Sequence, residues 1–171
     1  LANSRHSIRQ YSLDRVNTEL LTKAAKIASR TPSVCNRQAY KVRFFTNKDK
    51  VKQLLKHQNG NESFREEIPV VAVISVDLKS FEGAGERNQA YIDGGLFAMS
   101  LVYALHYTGL GTCFLNWSVK HNVDKRFRKV SLVPDNEVII TLLSIGHLKD
   151  EFKVATSPRK RFDELHEIID Y

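Results

Sequence analysis

The side chains able to do chemistry in this chain gather in three polar clusters, two of them at opposite ends of it. Near the start, Arg5-His6-Ser7-Ile8-Arg9 puts Arg5, Ser7 and Arg9 on one side of an extended segment, because alternate side chains of extended backbone share a face. Two guanidinium forks beside a hydroxyl suit a phosphate, which arginine grips with paired N–H bonds. Taken alone, the plainer reading is a solvated basic terminus. The second cluster, Thr31-Pro32-Ser33-Val34-Cys35-Asn36-Arg37-Gln38, leaves a helix with a hydroxyl and two carboxamides. Carboxamides offer donors and acceptors together, which fits polyol hydroxyls or the edge of a heteroaromatic ring. A polar turn that caps itself is the alternative. The third, Ser157-Pro158-Arg159-Lys160-Arg161, reads most simply as a solvated basic tail.

Other reactive types are sparse. Cys35 and Cys113 are too few for a disulfide framework and stand in no metal-ligand spacing, so no metal site and a reducing, cytoplasmic compartment are expected. No nucleophile has an attendant base. His106 falls inside a long apolar segment and fits a core or interface role. The lone tryptophan, Trp117, could stack on a flat ligand or fill the core.

The chain of 171 residues fits one domain, and 26 Lys plus Arg against 19 Asp plus Glu leave a formal charge of +7, which favours anionic partners. No apolar run reaches the roughly 20 residues that a membrane helix needs. The opening Leu1-Ala2-Asn3-Ser4 has neither an initiator Met nor a leader's apolar run, so a cut from a longer chain is expected at the N-terminus.

The elements that must position these clusters follow from periodicity. Asn17 to Arg30 predicts a helix with Leu20, Leu21, Ala24, Ala25, Ile27 and Ala28 on one side, ended by Pro32. Tyr40 to Thr46 alternates like a half-buried strand, and Asn47 should cap a short helix carrying Val51, Leu54 and Leu55. Pro69 to Val76, rich in β-branched residues, predicts a central strand buried on both faces. Asn88 to Tyr107 is apolar nearly all round and predicts a long helix buried in the core. Gly94 and Gly95 inside it suggest the close approach of another backbone or a ligand, or a break in the helix. Gly109-Leu110-Gly111 should end that helix. A strand or ordered loop then runs from Thr112 to Trp117, a basic amphipathic helix from Lys120 to Val130, and a strand from Val138 to Ile145. An extension follows from about residue 149. The sum is one α+β domain.

Taken together, these clusters resemble the nitroreductase-like flavoproteins. Arg5-His6-Ser7-Ile8-Arg9 is similar to their R-x-S-x-R opening, and Pro32-Ser33-Val34-Cys35-Asn36-Arg37-Gln38 to their P-S-x-x-N-x-Q. Tyr91-Ile92-Asp93-Gly94-Gly95 with Gly109-Leu110-Gly111 resembles their central dimer helix and its closing turn, and Ser157-Pro158-Arg159-Lys160 their terminal Arg-containing strand. The resemblance runs from Ser4 to about Leu165. It implies the nitroreductase fold, a mostly antiparallel sheet flanked by helices, with the long helix at a homodimer interface. It implies that Arg5 and Arg159 hold an FMN phosphate, with Ser7 beside the phosphate or ribityl chain, His6 among the cofactor-binding residues and Arg9 near the pyrimidine edge of the ring. Ser33, Asn36 and Gln38 would reach the partner chain's FMN, and Leu115-Asn116-Trp117 would run along the isoalloxazine. The chain departs from the family where Ala39-Tyr40 follows Gln38 in place of Pro-Trp, and where Arg161 stands at a frequent proline.

The function so implied is an FMN-dependent oxidoreductase that takes hydride from NAD(P)H and passes electrons to a nitroaromatic, a quinone or another small acceptor. The cofactor, not the side chains, would carry the difficult chemistry. Two alternatives stand beside it: an FMN-binding protein without turnover, and a basic nucleic-acid-binding module prompted by a pI near 9.5. The latter lacks any groove-reading or base-stacking motif.

Overall fold

In the computed structural model, which describes residues 1–170, the first helix begins where its cap allows. Asn17 accepts from the Glu19 amide at 2.9 Å and opens α1 (Thr18–Ala28), which buries Leu21, Ala24 and Ala28. Asn47 caps α2 (Lys48–Leu55) in the same way, accepting from the Lys50 amide, and the buried face is Val51, Leu54 and Leu55 as the sequence predicts.

Four strands make one wholly antiparallel sheet: β1 (Tyr40–Phe45), β2 (Val70–Asp77), β3 (Leu110–Asn116) and β4 (Glu137–His147), in the order β1-β2-β4-β3. The β-branched run of β2 lies inside the sheet and is buried on both faces. Its Val70, Ala72 and Ile74 pack with Leu143 and Ile145 against α1 and the long helix α3 (Gln89–Tyr107). Val71 and Val73 face the other way, with Leu142, toward α2, α4 (His121–Ser131) and the N-terminal residues Ile8 and Tyr11. The core is therefore two layers on either side of one sheet.

The long helix differs from expectation in two respects. It is unbroken but not wholly buried: Phe97, Leu101 and Leu105 face the core, whereas Tyr91, Ile92, Leu96 and Tyr107 are exposed. At Gly94 the close neighbour is neither backbone nor ligand. A Cβ there would meet the Ile140 side chain at 2.5 Å and Val76 at 2.9 Å, so this glycine lets the helix lie flat on the sheet, while Gly95 faces open space. The helix ends at Gly109 in left-handed backbone (φ 84°) and leads straight into β3.

Across the sheet edge, Arg43 of β1 forks onto Glu137 of β4 at 2.7 and 2.8 Å, and the Ser75 hydroxyl of β2 donates to the same carboxylate. Burial opposes the charge on Glu137, but these bonds and the nearby Arg43 and Lys41 outweigh it and hold the carboxyl below its usual range. After β4 the described residues form no further strand. Ser157 to Lys160, expected in a terminal strand, are exposed coil that pairs with no strand of this chain, and among the described residues a helical turn at Phe162–Glu164 follows. Among the described residues no helix is long and apolar enough to cross a membrane.

Candidate functional site

The N-terminal segment is seated by its apolar residues and its backbone, which leaves its polar side chains free. The Ile8 amide donates to the Thr112 carbonyl of β3 (2.8 Å) and the Ser12 amide to His147 at the end of β4 (3.0 Å). Between them the buried Tyr11 hydroxyl donates to the Ile8 carbonyl (2.7 Å) and lies 2.6 Å from Ser144 Oγ. Burial pushes the Tyr11 phenol far above its ordinary range, so it stays neutral. With Ile8 turned inward, Arg5, Ser7 and Arg9 line one cleft, as alternation over residues 5–9 predicts, and the alternation ends before Tyr11, which shares their parity but is buried.

The C-terminal tail runs back beside this segment, the Lys153 amide donating to the Gln10 side chain at 3.2 Å. Between the two lies an open cleft of about 440 Å³ lined by Arg5, His6, Ser7, Arg9, Ser157 and Arg159, among others. Clusters at opposite ends of the sequence thus share one wall. No carboxylate lines the cleft, and among the described residues Arg5, Arg9 and Arg159 form no ion pair. Arg159 donates only to the nearby Ser157 carbonyl, at 3.2 Å. Three cations converging without a counter-charge repel one another, and an anion placed among them relieves that cost.

Arg9 also lines a second, smaller cleft of about 130 Å³ with Gln58, Asn59, Gly60, Cys113, Leu115 and Asn116. Leu115 and Asn116, the end of β3, are where sequence reading puts the flat part of a ligand. Gln58, Asn59 and Gly60 escaped that reading as candidate site residues. Their only signal was a polar stretch around Asn59-Gly60-Asn61, which reads equally well as a loop. Trp117 stands apart from both clefts: its ring packs on Phe127 with centroids 4.3 Å apart and its Nε1 donates to Asp124 at 2.8 Å. Cys113 is unsuited to nucleophilic work, since burial pushes its thiol up against the pull of Arg9 and Arg5. His106 lies 2.8 Å from Ser4 Oγ, and burial, with the nearby charge of Arg5, lowers its pKa. Among the described residues no cluster of three or more His, Cys, Asp or Glu could hold a metal ion.

The second polar cluster lines neither cleft of its own chain. It forms a contorted turn in which Cys35, Asn36 and Gln38 all take positive φ (48°, 55° and 50°), a costly conformation for residues other than glycine. The Ser33 hydroxyl accepts from the Gln38 amide (2.9 Å), the Gln38 carboxamide donates to Asn36, and the Val34 amide donates to buried Asp93 of α3 (3.2 Å). The self-capping turn is therefore real, and it is pinned to the long helix with Asn36 and Gln38 exposed.

Residues 2–61 match the model of the Nitroreductase family. No curated protein matches the sequence. Among solved structures, an FMN-dependent nitroreductase from Clostridium difficile superposes with a TM-score of 0.80 at 24% identity, over 98% of this chain and 96% of that one. A nitroreductase family protein from Streptococcus pneumoniae gives 0.81 at 20% identity over 95% of each chain. A candidate nitroreductase from Desulfovibrio desulfuricans, in complex with FMN, gives 0.80 at 18% over 99% and 95%. The chain has the nitroreductase fold along nearly its whole length, and residues 2–61 match the family model: the protein is nitroreductase-like.

Proposed function

We propose that this chain is an FMN-dependent oxidoreductase that draws electrons from NAD(P)H and delivers them to a nitroaromatic, a quinone or another small acceptor. The observation that carries the reading is the cleft where Arg5, Arg9 and Arg159 meet with no carboxylate among its lining residues. Arg5 and Arg159 would hold the phosphate, with Ser7 donating beside them, and Arg9 spans both clefts where it would favour negative charge on the reduced ring. Bound flavin supplies the electron transfer itself; the chain binds and orients. The solved structures from C. difficile, named FMN-dependent, and from D. desulfuricans, holding FMN, support the cofactor assignment.

The active species is a homodimer with composite sites. An exposed apolar stripe on α3 (Tyr91, Ile92, Leu96) calls for cover, and the polar turn Ser33, Asn36, Gln38, remote from its own clefts, is free to complete the partner's site.

Purified protein tests this directly. It should be yellow, with flavin released as FMN on denaturation, and NADH or NADPH should bleach it without oxygen. Bound FMN that neither nucleotide bleaches would make the chain a binder without turnover, and a colourless protein unable to take up FMN would overturn the assignment.

A further inference from the structure

Four side chains in a row, Arg65, Asn61, Gln58 and Asn116, lead from the helical turn at Arg65–Glu67 to the smaller cleft, and their donors and acceptors fit in one direction. Arg65 can only donate, so the Asn61 oxygen must face it, and Arg65 Nε lies 2.5 Å from Asn61 Oδ1. The Asn61 nitrogen therefore points the other way, donating to the backbone carbonyls of Leu55 and Gln58 and to Gln58 Oε1 at 2.6 Å. Backbone carbonyls only accept, so they confirm the orientation independently of Arg65. With its oxygen engaged, Gln58 turns its nitrogen to the end of β3, donating to the Asn116 carbonyl (3.1 Å) and to Asn116 Oδ1 (3.3 Å). Gln58 and Asn61 are almost wholly buried, whereas Asn116 is exposed at the cleft mouth.

We infer that Arg65, Asn61 and Gln58 form a one-directional amide relay whose purpose is to present the Asn116 Nδ2 hydrogens to the cleft, making Asn116 a fixed donor to an acceptor atom, a carbonyl oxygen or imine nitrogen, of the ring bound there. The inference rests on the FMN reading above and deepens it. A free asparagine side chain can rotate to offer either its oxygen or its nitrogen; here the oxygen is held by Gln58, and the nitrogen makes no bond among the described residues. The relay lets the cleft favour a ligand edge that accepts over one that donates, because a donor brought to Asn116 would face another donor and leave both unpaired. Asn116 is the contact residue; Gln58, Asn61 and Arg65 are positioning residues.

The test uses FMN as the probe. Asn116→Leu keeps the size of an exposed side chain and removes the donor, and Gln58→Met keeps a buried volume while breaking the relay. Apoprotein of Asn116→Leu should bind FMN roughly tenfold more weakly than wild type, and Gln58→Met more weakly by a smaller factor. In ¹⁵N-labelled wild type, the Asn116 carboxamide protons should shift when FMN is added; in Gln58→Met, with that amide free to rotate, the shift should shrink. A merely structural Gln58 would lower stability without touching that signal. Wild-type affinity in Asn116→Leu, or carboxamide protons unmoved by FMN, would overturn the relay, and the exposed position of Asn116 keeps the test open should Gln58→Met fold poorly. Wild type that takes up no FMN at all would instead bring down the cofactor reading.

Discussion

Tyr11 occupies the space that a Cβ on Gly146 would need. Its nearest ring atom stands 2.6 Å from that position, with a Pro69 ring carbon at 2.8 Å, so the N-terminal segment lies directly on the backbone of β4. Gly146→Ala should push the ring away, costing about 1 to 3 kcal/mol as an overpacked core does, and should loosen the seat of Arg5, Ser7 and Arg9. Urea unfolding and FMN titration measure the two effects. A variant that is destabilised yet binds FMN as wild type does would separate the seating of this segment from the site.

The phosphate grip is tested at both chain ends. Arg5→Ala and Arg159→Ala should each weaken FMN binding by about ten- to a hundredfold, the loss of one charge-assisted contact of roughly 1.5 to 3 kcal/mol. Isothermal titration of apoprotein gives the numbers, and unchanged affinity in both variants would remove the phosphate from this cleft.

Acid stability should depend on Glu137. Its carboxyl is held below the ordinary value of 4.5, so its contribution is fully present above that pH and is lost as pH falls through the folded value. Wild type should lose stability below about pH 4.5, and Glu137→Gln should show a shallower acid limb, on a base lowered by on the order of 2 to 4 kcal/mol because Arg43 loses its buried partner. Parallel acid limbs in the two proteins would place the acid sensitivity elsewhere.

Charging the exposed stripe of α3 tests the composite site. Ile92→Glu with Leu96→Glu should yield a monomer by analytical ultracentrifugation that folds but holds no FMN. Monomer retaining stoichiometric FMN would show that one chain suffices.

The same composite site predicts complementation. One variant carries Glu at Arg5 and Arg159, the other Leu at Ser33 and Asn36, and each alone should bind no FMN. Mixed dimers gather all lesions in one site and none in the other, so random refolding should restore FMN to about a quarter of sites. No recovery in proven mixed dimers would place Ser33 and Asn36 outside the site.

Much of the fold was legible because its signals are local. Asn17 and Asn47 cap helices through their own side chains, and the run from Val70 to Val76 can only be an inner strand. The cluster at Arg5, Ser7 and Arg9 was legible as alternation. What escaped depends on contacts far apart in sequence. Gly94 reads as a gap for a ligand until Ile140 is found filling it, and Gln58 reads as loop until its amide is seen on Asn116. Arg159 looked like strand by analogy, but the bonds that would make a strand need a neighbouring edge, and the tail has none beside it within this chain.

Because Arg5 and Arg159 lie far apart in the sequence, the cleft that both line can be completed only after the sheet encoded between them has been made. The sheet and the buried residues of both core clusters are encoded before residue 149, so a nascent chain can bury most of its apolar surface while the proposed phosphate grip is still missing one arm. Closing that wide loop carries an entropic cost that grows only with the logarithm of its length, and an anion that binds both ends offsets it. The cofactor would thus act as a clasp across a body already folded, and loss of the segment around Arg159 would leave that body unable to keep it.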